Sequence, residues 1–246
     1  MLSISIVNHG HHDHVIALLE DLARIAGKTP LEIILTNNIP AGAVTTLPDG
    51  LAGTVINNPS PVGFGHNHNK ALAQAMGDIV CVLNPDIRLP YDPFPNLLAA
   101  LHDPCVGLVA PAILSAQQQL EDSARRFPTP WSLLQRRLGG NDGRYRYARN
   151  DEPFAVDWVA GMFMLMRVET FYIINGFDQR YFLYCEDIDL CARLWRSGQS
   201  VILCPNAAAI HDARRDSHRK LKFLRWHVAS YARYFATHWL RKIRPA

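Results

Sequence analysis

Apolar residues recur along this chain in two alternating rhythms. Residues 3–7 form a short apolar run rich in β-branched side chains, the pattern of a strand buried on both faces. Val15, Leu18, Leu19, Leu22 and Ile25 follow at helical spacing, with Asp13 placed to cap the start and Gly27 to stop it. The alternation continues with strands over 31–36, 53–56, 78–83 and 107–110. Helices fall over 67–76, ended by Gly77, and over 94–101. Strand and helix thus alternate through the first 110 or so residues. That predicts an α/β fold with a Rossmann-like, mainly parallel central sheet and helices on both faces. Such sheets bind ligands outside the carboxyl ends of their strands, so polar residues just after strands are functional candidates.

Residues 115–153 change character. They hold Arg125, Arg126, Arg136 and Arg137 and the turn cluster Gly139-Gly140-Asn141-Asp142-Gly143. This predicts a long, partly mobile loop region, and long loops inside domains are usually functional. Strand pattern returns over 158–166, a helix over 186–197 ends at Gly198, and a last strand spans 200–204. Leu221, Leu224, Val228, Tyr231, Phe235 and Trp239 then mark the apolar stripe of an amphipathic C-terminal helix. No internal repeat or linker interrupts the chain, so residues 1–246 read as one domain.

Composition narrows the class. With 246 residues, 48% of them hydrophobic and 19% charged, the chain can bury a substantial core and is not disordered. The net charge of +3 conceals a split. Residues 214–246 carry ten Lys and Arg against one Asp, a balance of +9, whereas residues 1–213 carry 15 basic against 21 acidic residues, a balance of −6. Cys81, Cys105, Cys185, Cys191 and Cys204 are odd in number and lack any C-x-x-C spacing, which argues for reduced core thiols over a disulfide scaffold or structural zinc. No apolar run reaches the 18 or so residues of a bilayer span. The N-terminus lacks a basic region ahead of its apolar run and reads as a strand, not a signal peptide. A cytoplasmic protein, peripheral at the membrane or not, is the expectation.

Several clusters can carry chemistry. Asn84-Pro85-Asp86 ends a strand at the ligand edge. It is either a plain turn or a site for Mg²⁺ or Mn²⁺, which takes one or two carboxylates and completes its shell with substrate phosphates. Glu186, Asp187 and Asp189 crowd a helix start, where carboxylates serve capping and the helix dipole or supply a general base. Gly63-Phe64-Gly65 allows a tight turn before a helix N-terminus, a candidate anion or ribose site. The histidine-rich 9–14 run fits no zinc spacing and reads as a solvated loop with an N-cap. His211 is a lone histidine that needs Asp86 beside it to act as a metal ligand. The basic arm, with Lys220, Lys222, Arg225, Arg233, Arg241 and Lys242 beside Trp226 and Trp239, is either a packed terminal helix with a solvated face or an interfacial helix on anionic lipid. No nucleic-acid reader motif accompanies the charge, so nucleic acid is not the expected partner.

In order along the chain stand Val7-Asn8, Thr36-Asn37-Asn38, Gly63-Phe64-Gly65 with Asn69, Asn84-Pro85-Asp86-Ile87 and Asp157-Trp158-Val159-Ala160-Gly161. Gly176-Phe177-Asp178 then runs into 181–193, and His211 and Ser217 close the series. Together these resemble the family 2 glycosyltransferases of GT-A fold, in their bacterial rhamnosyltransferase-like branch.

The resemblance implies an inverting, metal-dependent transferase of surface polysaccharide synthesis (O-antigen, capsule or exopolysaccharide). Its donor would be dTDP-L-rhamnose and its acceptor a saccharide or lipid-linked saccharide. Residues 1–111 would bind the donor, 112–213 would hold the acceptor and the catalytic groups, and 214–246 would form the basic helix. Asn8, Asn37, Asn38, Gly65, Asn69, Asn84 and Asp86 would surround the donor, with Asp86 and His211 as metal ligands. Asp187 would be the base, with Glu186, Trp158 and Gly161 in the acceptor site. Asn37 stands where the family commonly has Asp, and Asn84 where it often has the first Asp of D-x-D. A UDP-sugar donor, or a non-catalytic glycan-binding role, are the alternatives these departures raise.

Overall fold

The computed structural model describes residues 1–140, 142–212 and 221–238. The first alternation folds in the expected order: β1 (Leu2–Asn8), α1 (His12–Ala26), β2 (Leu31–Asn37), β3 (Ala52–Asn57), α2 (Phe64–Leu72), β4 (Ile79–Leu83), β5 (Ile87–Arg88), α3 (Phe94–Leu101) and β6 (Val106–Ser115). The second half adds β7 (Ala124–Arg125), α4 (Pro130–Arg137), β8 (Phe154–Ala155), β9 (Trp158–Val159), β10 (Phe163–Arg167), α5 (Val168–Ile173), α6 (Glu186–Arg196), β11 (Ser200–His211) and α7 (Leu221–His238).

Among the described residues the main sheet has nine strands, in the order β3-β2-β1-β4-β10-β6-β11-β5, with β8 on β11. β3, β2, β1 and β4 are parallel, as are β6 and β11. All seven residues of β2 are buried, as a strand covered on both faces requires. One apolar layer packs α1 and α3 on Ile4, Ile6, Ile33 and Leu83. The other packs Leu190 and Leu194 of α6 on Val80, Val82, Met164 and Met166. Alternate residues of β4 serve opposite layers, the two-residue period of a strand.

The sheet is mainly parallel, with β10, β5 and β8 as its antiparallel members. β10 lies antiparallel to both β4 and β6. β6 delivers the chain to the ligand edge, and the 116–157 excursion reaches back to pair β8 with Ile202 and Leu203 of β11. The chain re-enters the sheet at the ligand edge, so the next strand runs back down it. Phe163, the first residue of β10, therefore pairs with Leu83, the last of β4.

Several local expectations shift. His11, not Asp13, takes the cap position of α1, without a side-chain bond. Asp13 sits in the first turn, where a carboxylate still suits the helix dipole. α2 starts at Phe64 and stops at Leu72. Residues 158–166 are two strands broken at Ala160-Gly161, and β11 runs on to His211. The 115–153 region contains the short strand β7 and the helix α4. Four cysteines are buried, but Cys105 is exposed.

The largest revision concerns α7. Its buried positions are Ser230, Tyr234 and His238, not the apolar stripe. Polar anchors set this rotation. Ser230 Oγ donates to Leu183 O at 2.9 Å, and His238 Nε2 meets Asp189 Oδ1 at 2.7 Å. Tyr231 and Phe235 are half-buried, while Leu224 and Val228 face outward. Ser217, Lys220, Trp239, Arg241, Lys242 and the side chain of Lys222 lie outside the described residues. No described helix is long and apolar enough to cross a membrane.

Candidate active site

The carboxyl ends of β4 and β11 meet at one edge of the sheet. Asn84, just past β4, donates its amide to Met162 O at 2.9 Å. β11 pairs with β5 so that His211 lies opposite Ile87, which puts its ring beside Asp86. His211 Nε2 is 3.2 Å from Asp86 Oδ2, and Nδ1 is 2.8 Å from Glu121 Oε2. Burial works against charge on this imidazole, but hydrogen bonds to Asp86 and Glu121 win and push its pKa up to about 9.

Asp86 keeps one carboxylate oxygen, Oδ1, buried without a partner among the described residues. A buried oxygen with no donor is an open coordination position. A carboxylate beside an imidazole whose far nitrogen is held by a second carboxylate suits a divalent cation. No group of three or more His, Cys, Asp or Glu side chains among the described residues could hold a metal alone.

Asp187 stands at the start of α6. Its Oδ2 accepts from Gly161 N at 3.1 Å and its Oδ1 from Ile188 N at 2.8 Å. Burial raises its pKa, and these two amides only partly offset the rise. Glu186 is buried at 5% exposure, with Oε2 unpartnered among the described residues. Burial first, and then the Asp187 charge, drive its pKa well above the usual carboxylate range. Tyr184 and Cys185, just before the helix, both have positive φ, at 73° and 65°. Such residues cost about 1–3 kcal/mol each and concentrate where function demands a strained turn. Here the turn starts the helix that carries Glu186 and Asp187.

Gly161 links the two halves of the site. Its neighbour Met162 receives Asn84, and its own amide holds Asp187. A Cβ at Gly161 would stand 3.1 Å from the Phe64 ring. Trp158 is half-buried nearby and donates Nε1 to Arg126 O at 3.0 Å. Beyond it, Tyr184 stacks on His227 at 3.6 Å between ring centroids, and Tyr231 and Phe235 continue the aromatic wall.

The asparagines named from sequence bond to the backbone and to one another. Asn8 Nδ2 donates to Asn37 Oδ1 and Gly42 O. Asn37 bonds Val44 through both its ends, and Asn38 does the same with Val62. Asn38 also meets His9 Nδ1, at 3.1 Å. These amides pin the loops after β2 and β3. Asn69 clasps the backbone of Phe177, accepting from its amide and donating to its carbonyl. Gly65 lies so close to Phe177 that a Cβ would come within 2.6 Å of that side chain. Phe64 N, the first amide of α2, is taken by Phe182 O at 3.0 Å. The glycine turn therefore serves close passage of two chain segments. Glu121 is absent from the sequence-derived set, since it lies ninety residues from His211 with no motif around it.

A family model described as Glycosyl transferase family 2 matches residues 3–171. The chain belongs to glycosyltransferase family 2. This glycosyltransferase also matches, over residues 147–219, a model described as the N-terminal domain of galactosyltransferase. Rhamnosyltransferase WbbL of Escherichia coli K12 is 34% identical across 96% of this chain and 93% of its own length. N-acetylglucosaminyl-diphospho-decaprenol L-rhamnosyltransferase of Mycobacterium tuberculosis is 26% identical across 86% of this chain and 76% of its own. Solved structures share the GT-A fold. GalNAc-T7, crystallised with UDP, GalNAc and Mn²⁺, superposes at a TM-score of 0.70 and 18% identity, covering 98% of this chain and 48% of that one. The mannosyltransferase PcManGT of Pyrobaculum calidifontis, in complex with GDP-Man and Mn²⁺, gives 0.66 and 17%, covering 99% of this chain and 65% of that one.

Proposed function

We propose that this family 2 enzyme transfers L-rhamnose from dTDP-L-rhamnose, with inversion, to a lipid-linked or growing saccharide in bacterial surface polysaccharide synthesis. The rhamnosyltransferase names of both curated relatives support the sugar. The diphospho-decaprenol acceptor in the second name supports a lipid-linked acceptor. One observation carries the chemistry. The bonds from Asn84 N to Met162 O and from Gly161 N to Asp187 join the Asp86 turn and the half-buried Asp187 carboxylate through the Gly161-Met162 pair.

Asp86 and His211 would hold Mg²⁺ or Mn²⁺. The ion supplies positive charge against the departing nucleoside diphosphate. Asp187 takes the proton of the acceptor hydroxyl as that oxygen attacks the anomeric carbon. The bond from that carbon to the diphosphate breaks in the same displacement, which inverts the centre. Two backbone amides keep the Asp187 carboxylate aimed while it waits. Glu186, whose protonated form burial favours, would sit in the acceptor site with Trp158 and Gly161. Asn8, Asn37, Asn38 and Asn69 act by holding the loops that frame the donor.

Binding calorimetry tests the donor, with dTDP-L-rhamnose beside UDP-sugars, each with and without Mn²⁺. Metal-dependent binding of dTDP-L-rhamnose alone is expected. Preference for a UDP-sugar would replace the donor, and equal binding without metal would remove the cation from the site.

A further inference from the structure

Two exposed apolar groups flank the acceptor side. On α4, Trp131 is 65% exposed, and Leu134 and the following-turn Leu138 are also exposed. Their spacing of three and then four residues puts all three on one face. On α7, Leu224 and Val228 lie one turn apart and are both exposed. Arg225 adjoins Leu224, and Arg136 and Arg233 are exposed on other sides of the same two helices, Arg233 over the Tyr181 ring. Large apolar side chains clustered on a surface and bordered by cations mark a place of contact.

Both groups are rooted at the same wall of the site. The chain entering α4 is fixed by Phe127 N on Asp157 Oδ2 at 2.8 Å and by Trp158 Nε1 on Arg126 O. α7 packs Tyr231 and Phe235 into the same cluster as Phe127 and Trp158. α4 does not depend on burying its stripe to form. Thr129 and Ser132 close a reciprocal cap at its start, and Pro130 opens its first turn. Helices this short are marginal in water without such help. The helix is thus built to present Trp131, Leu134 and Leu138 outward.

We propose that α4 and the first half of α7 form a surface that seats in the interfacial zone of an anionic bilayer, resting on the lipid-linked acceptor proposed above. The chemistry matches one occupant. A tryptophan with two leucines enters the boundary between headgroups and acyl chains, and arginines on the polar sides of the same helices meet anionic headgroups. With no described helix able to span a bilayer, the contact is peripheral. It turns the Trp158–Asp187 side toward the plane from which a lipid-linked saccharide emerges. The seat is α4 and the outward turn of α7, not the whole amphipathic stripe that α7 shows in sequence, because half of that stripe packs inward.

Co-sedimentation of the full chain with vesicles tests this, using phosphatidylcholine alone and with about 30 mol% phosphatidylglycerol. Wild type should pellet with the anionic vesicles and poorly with neutral ones. Trp131→Ser/Leu134→Ser/Leu138→Ser together, and Leu224→Ser/Val228→Ser together, should each lower partitioning by about tenfold or more. Both variants should melt as wild type does, since the sites are exposed. Transfer to a water-soluble short-chain acceptor should be unchanged, while transfer to a long-chain lipid acceptor in vesicles falls. Equal partitioning of variants and wild type overturns the proposal, as does a wild type that ignores anionic vesicles. A substitution that converts a dimer to a monomer with vesicle binding intact would also overturn it, giving the face to a second copy. If no acceptor is glycosylated while partitioning still follows the substitutions, the surface stands and the acceptor reading falls.

Discussion

Glu121 Oε2 sits 2.8 Å from His211 Nδ1, on the opposite side of the ring from Asp86. The carboxylate fixes the ring's orientation and leaves Nε2 aimed at the Asp86 side. Partners of this kind typically govern metal affinity as strongly as a weak ligand does. Glu121→Gln should weaken Mn²⁺ binding in the presence of dTDP by about 10–100-fold. Calorimetric Mn²⁺ titration of the two proteins checks this, and equal affinities would make Glu121 a bystander.

Asp187→Asn keeps an acceptor oxygen for only one of the Gly161 and Ile188 amides and removes the base. Turnover should fall by about 10²–10⁴-fold, with donor affinity nearly unchanged. Steady-state transfer and donor calorimetry on the same preparation separate the two effects. A variant of near-normal kcat would take Asp187 out of the base role.

Glu186 predicts a loss of stability as pH rises. Burial and the Asp187 charge raise its folded pKa above the unfolded value. The stability tied to its proton is therefore complete below the ordinary glutamate range and is lost as pH rises through the raised value. Glu186→Gln mimics the protonated form. Its melting temperature should gain on wild type as pH increases from acid to neutral and above. A gap independent of pH would show that Glu186 does not titrate differently on folding.

His68 predicts the opposite arm. It is fully buried, its Nδ1 lies 2.8 Å from Ser5 Oγ, and burial pushes its pKa down from 6.5 to about 3. The unfolded chain then binds a proton that the folded chain refuses. Stability should be intact above about pH 6.5 and fall as pH drops toward 3. His68→Gln keeps a polar partner for Ser5 and should flatten that slope in urea titrations across the window. An unchanged slope would assign the acid loss to other groups.

The alternation of β1 to α3 was readable because strand and helix periods are local. Leu18, Leu19 and Leu22 announce their buried face within two turns, and Phe94–Leu101 has the bounds its pattern predicts. The run from Glu186 to Arg193 was readable for the same reason, together with its family resemblance. Burial of α7 was misread because its apolar stripe competes with Ser230 and His238, whose partners Leu183 and Asp189 lie on another segment. Hydrophobicity ranks such polar residues as outward, and only their long-range bonds turn them in.

By itself the sequence determined the α/β class, the family, and the residues Asp86, Asp187 and His211 as candidates for chemistry. Tertiary structure alone decided that β10 runs antiparallel between β4 and β6, that Glu121 holds His211, and that one glycine joins the Asn84 turn to Asp187. The same level spent Asn8, Asn37, Asn38 and Asn69 on loop geometry, since an amide bonds whichever group folding brings within reach. Periodicity and motif are properties of neighbouring residues, while pairing across ninety residues is set when the whole sheet closes and buried polar atoms must find partners.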